Sequence, residues 1–123
     1  MQHMEYQLGA AEARFAEIIW ASAPVPSGEL VRLSAEKLGW KKSTVYTVLR
    51  RLCEKGLFRN EGGTVTVLVD RASFEEGRSR QFVSESFGGS LPAFLAAFTA
   101  RKKLTGEEIT ELQRLIDEAK EER

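Results

Sequence analysis

The stretch from Lys42 to Val69 constrains the fold more than any other part of this chain. Between Lys42 and Lys55, the residues Val45, Val48, Leu49, Leu52 and Cys53 fall at i, i+3, i+4, i+7 and i+8. That spacing predicts a helix with a single apolar stripe. At about 100° per residue, its opposite face carries Ser43, Thr47, Arg50, Arg51 and Glu54, with Thr44 and Tyr46 at the margins. Gly56 ends the helix. The β-prone residues on either side of Gly62–Gly63, from Leu57 to Val69, then read as a hairpin, because a glycine pair supplies the backbone conformations of a tight turn.

Two further helices precede this unit. Leu8, Ala11, Phe15, Ile18 and Ile19 recur three and four apart, which predicts a helix from about Leu8 to Ala21 that stops before Pro24 and Pro26. Trp20, at its end, is placed to close one side of the core. Ser27 reads as the N-cap of a second helix, Gly28 to about Leu38, burying Leu30, Val31, Leu33 and Leu38 and halted by Gly39. Three helices with tight turns followed by a hairpin make a winged helix-turn-helix. The expected fold class is therefore mainly α with a small β-hairpin wing.

From residue 71 onward only helical signals remain. Ser73 with Glu76 has the capping-box pattern and opens a helix ending at Gly88–Gly89. Ser90 with Pro92 opens another, and Thr105 with Glu108 caps the last. The acidic pairs Glu75–Glu76 and Glu107–Glu108 are expected in first turns, where they complement the helix dipole. Leu91, Phe94, Leu95 and Phe98 on one helix and Ile109, Leu112, Leu115 and Ile116 on the other form faces too apolar for a segment this short to cover. A partner chain is the economical explanation. The expected organisation is a DNA-binding domain over residues 1–70 and a helical dimerisation domain over 71–123.

Charge placement supports a nucleic-acid partner where the total does not. The formal net charge is zero. Between residues 41 and 59, however, six basic side chains face Glu54 alone, a local charge of +5 that the remaining chain balances with −5. One basic stripe on an acidic body addresses phosphates with one face only. The major groove admits one helix, and base edges are read by short polar and forked basic side chains. Lys41, Lys42, Ser43, Thr44, Tyr46, Thr47, Arg50 and Arg51 are therefore assigned to double-stranded DNA, with Arg59 and Asn60 on the wing. A winged-helix protein-interaction module without DNA binding is the alternative.

Other classes find no support. No apolar run reaches the length of a membrane span, and no basic-then-apolar leader opens the chain. The single cysteine, Cys53, fits a reducing compartment and sits in the apolar stripe as a core residue; a cytoplasmic location is expected. His3, the sole histidine, lies in a terminal stretch expected to be unstructured and receives no ligand or base role. With no nucleophile–base–acid set and no phosphate-binding glycine loop, neither an enzyme nor a cofactor or metal is expected.

The segment STVYTVLRRLCEKGLF, Ser43 to Phe58, resembles the recognition helix and following turn of the penicillinase-repressor family (BlaI/MecI/CopY type). EARFAEIIW, ending at Trp20, is similar to that family's opening helix, and FGGSLPAFLAAF and LTGEEITELQRLID resemble its C-terminal dimerisation segments. The resemblance spans roughly Leu8 to Ala119. It implies a homodimeric repressor on palindromic operators, with base and phosphate contacts from the third helix. Two of the family's switches depart from their pattern here. The paired Cys-x-Cys motifs of copper-responsive members are absent. At the Asn–Phe bond cut by a sensor-linked protease in the β-lactam-responsive branch, this chain reads Ala97–Phe98. The phenylalanine is kept and the asparagine is not, and Ala97–Phe98 stands as the candidate cleavage position.

Overall fold

A computed structural model describes residues 6–120; His3 lies outside the described residues. In chain order the elements are α1 (Ala10–Ser22), β1 (Val25–Pro26), α2 (Ser27–Leu38), α3 (Lys42–Glu54), β2 (Phe58–Glu61), β3 (Thr64–Val67), α4 (Arg71–Phe87), α5 (Leu91–Phe98) and α6 (Gly106–Ala119). The chain divides into two compact units, one up to Gln81 and one from Phe82. Helical character begins at residue 71 as expected, but the first part of α4, through the buried Phe74, packs with the first unit.

In the first unit, α1, α2 and α3 surround a core of Phe15, Ile19, Leu30, Val45, Leu49 and Leu52, all essentially inaccessible. The stripe of α3 thus faces inward as its spacing dictates. Cys53, at the edge of that stripe, is only half-buried, because its position turns towards the wing and not towards α1. Ala11 is exposed and Ala16 buried, so α1 is rotated slightly from the expected face. Val31, Leu33 and Leu38 are half-buried and flank Leu30.

The wing pairs β2 with β3 in register Phe58↔Val67 through Glu61↔Thr64. Gly62 and Gly63 both have positive φ, 58° and 82°, which a two-residue hairpin turn requires and L side chains resist. A third strand that the sequence pattern did not announce completes the sheet: β1 pairs antiparallel with β3, Val25↔Val65 and Pro26↔Thr64, giving the order β1-β3-β2. Proline is tolerated there because β1 is an edge strand. Trp20 closes the core at the base of the wing. Its ring meets Phe58 at 5.6 Å and Phe74 at 5.6 Å, and its indole N–H donates to the Val69 carbonyl at 2.9 Å.

Two helix starts differ from expectation. The N-cap of α2 is Pro26, and Ser27 is the first helical residue, its backbone N–H donating to the Gly63 carbonyl at 2.8 Å. The cap of α4 is Asp70, whose Oδ1 accepts the Ser73 N–H at 2.7 Å, so the Ser73–Glu76 box does not form. Glu75 and Glu76 consequently leave the first turn and pair with Arg78 and Arg80. The two later caps form as read. Ser90 Oγ accepts the Ala93 N–H at 3.1 Å, and Thr105 and Glu108 exchange reciprocal bonds at 2.8 and 3.1 Å.

Among the described residues, three carboxylates serve as helix-end acceptors: Glu12 for the Gly9 N–H, Asp70 for that of Ser73 and Glu108 for that of Thr105. Each is held below its ordinary value, first of all by that backbone N–H. A folded value below the unfolded one means that stability is present above the unfolded values, 3.8 for Asp70 and 4.5 for the two glutamates. It is lost as pH falls through the folded values. Thermal melts from pH 7 downward are therefore expected to hold level to about pH 5 and then fall. The fall should be shallower in Asp70→Asn and Glu108→Gln, whose caps no longer titrate.

Candidate nucleic-acid interface

The outward face of α3 assembles most of the residues selected for DNA. Lys41, Lys42, Ser43, Thr44, Thr47, Arg50 and Arg51 are all exposed. Among the described residues, Lys41, Lys42, Arg50 and Arg51 form no ion pair, whereas two neighbouring basic side chains of the first unit are tied down. Lys55 reaches Glu12 at 3.4 Å and the Gln7 carbonyl at 2.9 Å, and Arg71 reaches Glu17 at 2.9 Å. Unpaired cations on one helix are available for phosphates, and a paired, half-buried Lys55 is a structural tie.

Within this face, two flanks differ. Tyr46, Arg50 and Asn60 share a cleft with Leu49 and Cys53, about 380 Å³ in volume, between α3 and β2. Arg51 lies on the other flank, where its charge acts on the Glu12 carboxylate of α1. Thr47 Oγ1 donates to the Ser43 carbonyl at 2.9 Å, which fixes its rotamer and leaves its oxygen lone pairs outward. Arg59 stands apart from the cleft and meets Glu61 at 3.2 Å along the wing, so part of its charge is already balanced within β2.

Ser27 is tied to this candidate face although the sequence marks it only as a helix cap. The Tyr46 hydroxyl donates to Ser27 Oγ at 3.1 Å, while the Ser27 N–H holds the wing turn at Gly63. One serine thus links the wing, the start of α2 and the outward face of α3. No local pattern announces it, because its partners are 19 and 36 residues away.

The second unit presents a separate surface. Among the described residues from Phe82 to Lys120, none is fully buried, yet Leu91, Phe98 and Ile116 are each about 60% exposed (62, 61 and 58%). Phe94, Leu95, Phe98, Leu112 and Leu115 come together, with Leu104, around an apolar groove of about 330 Å³. Leu91, Ile109 and Ile116 lie outside the groove's lining and are exposed. Phe82 and Phe87 join Phe94 in a cluster of edge-on rings 5.5 to 5.9 Å apart. Phe87 opens the segment FGGSLPAFLAAF, whereas Phe82 lies on α4 away from the two periodic faces and carries no signal in the sequence. Ala97 and Phe98 occupy the last turn of α5, both exposed.

Comparison with known proteins places the chain in a family. The family described as penicillinase repressor matches residues 8–118. The penicillinase repressor of Bacillus licheniformis is 29% identical over 118 residues, covering 93% of this chain and 92% of that protein. The methicillin resistance regulatory protein MecI of Staphylococcus aureus is 22% identical over 121 residues, covering 95% and 98%. Among solved structures, the monomeric form of Bacillus licheniformis BlaI in complex with the blaP half-operator matches with a TM-score of 0.48 and 25% identity, over 59% of this chain and 93% of that one.

The cleft beside α3 makes a prediction about its thiol. Burial pushes the Cys53 thiol above its ordinary value, only partly offset by the Asn60 backbone N–H. The thiolate is the nucleophile, so iodoacetamide at pH 7.5 should modify the native chain several-fold more slowly than the urea-unfolded chain. Equal rates would show an open, unshifted thiol.

Proposed function

The chain belongs to the penicillinase repressor family and is, with it, a DNA-binding transcriptional repressor; we propose that it holds palindromic operators as a homodimer, with α3 in the major groove and the wing beside it. The exposed, unpaired basic and hydroxyl face of α3 carries this reading. Arg50, in the cleft with Tyr46 and Asn60, is assigned to a guanine edge, and Ser43, Thr44 and Thr47 to base edges or nearby phosphates. Lys41, Lys42 and Arg51 are assigned to the phosphate backbone, where they fix register without reading sequence. Arg59 and Asn60 follow the wing onto the adjacent backbone.

The dimer rests on the second unit's lack of a buried core. A segment of this size cannot bury enough apolar surface on its own, and a second copy of the same groove and the flanking Leu91, Ile109 and Ile116 would supply the missing cover. With two recognition helices linked, occupancy of one half-site raises the effective concentration at the other. Cleavage between Ala97 and Phe98 by a sensor-linked protease would separate α6, with Ile109, Leu112, Leu115 and Ile116, from the rest of the chain. Both residues are exposed in the final turn of α5, where a helix end is easily opened. Loss of α6 would remove half of the proposed interface and with it the linkage between half-sites.

A duplex selected by the protein from a random pool tests the DNA face. Affinity should fall steeply as salt rises. Arg50→Ala should cost on the order of 1–3 kcal/mol and relax preference at one base pair, whereas Lys42→Ala should weaken all sequences alike and reduce the salt slope. Wild-type affinity in Arg50→Ala would remove it from base reading. In sedimentation, the wild-type chain should be dimeric at micromolar concentration and Leu112→Asp monomeric; a wild-type monomer would overturn the dimer.

A further inference from the structure

We propose that Tyr6 is a positioning residue for operator binding, keyed into a notch on α4 at Gly77, so that the segment before α1 fixes the start of α4 against the end of α3. The notch is visible in the helix itself. Phe74, Gly77 and Gln81 follow one another at i, i+3 and i+7 on the face of α4 that is not fully exposed, where a side chain is expected. A helix interior disfavours glycine, which carries more backbone entropy than any other residue and packs nothing. Here a Cβ at position 77 would overlap Cε1 and Cζ of the Tyr6 ring. The absent side chain makes room for a specific neighbour. Tyr6 also meets Phe74 at 5.7 Å between ring centroids.

The segment carrying Tyr6 is anchored at its next residue. Lys55, the C-cap of α3, donates from Nζ to the Gln7 carbonyl and pairs with Glu12 at the start of α1. A continuous path therefore runs from the end of the recognition helix, through Lys55 and Gln7, to Tyr6 and then to Phe74 and Gly77 of α4. Since α4 continues past Gln81 towards the proposed dimerisation segment, its first turns set how firmly each recognition helix is referred to the other. This inference rests on the homodimer reading above. Tyr6 touches no DNA in this scheme. It removes slack, and slack lowers the effective concentration of the second half-site.

The test uses the full chain and two duplexes: the palindrome that the wild type selects from a random pool, and that palindrome with one half scrambled. The wild type should prefer the intact palindrome on the order of a hundredfold or more. Tyr6→Ala and Gly77→Ala should each reduce that preference about tenfold while changing affinity for the half-scrambled duplex less than about twofold. Tyr6→Phe, which keeps the ring in the notch, should retain it. The double variant should be no worse than either single one, as expected for two residues acting through one contact. A thermal readout carries its own sign. Gly77→Ala should lower the melting midpoint in the wild-type background and raise it in Tyr6→Ala, where only the better helix propensity of alanine remains. A wild-type preference that survives undiminished in both variants overturns the proposal and leaves the dimer standing. So does a parallel loss on both duplexes, which would make Tyr6 a folding residue only. Equal wild-type affinity for the two duplexes would instead overturn the dimer reading, and this inference with it.

Discussion

The indole of Trp20 is the junction on which the first unit depends. It sits in the last turn of α1, and three elements converge on it. Phe58 comes from the base of the wing, Phe74 from α4, and the Val69 carbonyl, which receives its N–H, from the link between them. Edge-on and tilted aromatic pairs of this kind add about 0.5–1.5 kcal/mol each beyond their area burial, and the bonded N–H avoids the penalty of an unpaired buried donor. Phe58 is the first residue of β2, so its placement sets where the hairpin starts and hence where Asn60 stands beside α3. The geometry of the proposed DNA face is in this sense inherited from a contact that does not itself belong to it.

The two units solve the problem of burial differently. In the first, the apolar stripe of α3 and the faces of α1 and α2 find cover within the chain, and fully buried side chains run from Phe15 to Phe74. In the second, helix formation is secured locally, by the Ser90 cap, by the reciprocal Thr105–Glu108 bonds and by the Arg114 bridges to Glu111 and Glu118. Its apolar groove is left open. Exposed bridges of this sort add only a few tenths of a kcal/mol each, enough to bias a 14-residue helix but not to replace a core.

Much of this was legible because it is periodic or is written in turn chemistry. The stripe of α3, the Gly62–Gly63 turn and the boxes at Ser90 and Thr105 are local statements, and the structure repeats them. What escaped was non-local or too short to carry a period. Two residues, Val25 and Pro26, cannot show alternation, and they become a strand only because β3 lies beside them. Asp70 took the cap of α4 from Ser73 because a carboxylate three residues upstream of a free N–H competes well for it. Cys53 follows the stripe by spacing, yet the wing leaves it half covered. In the proposed interface, Ser27 was hidden for the same reason as β1: its partners Tyr46 and Gly63 are neighbours only after folding.

The unpaired cations of α3 have a kinetic meaning on a chain of zero net charge. The field of a duplex exerts almost no net pull on such a molecule at a distance, but it does exert a torque, because the basic face and the acidic remainder are drawn in opposite directions. The protein would arrive no faster than by diffusion, yet already turned with α3 towards the groove.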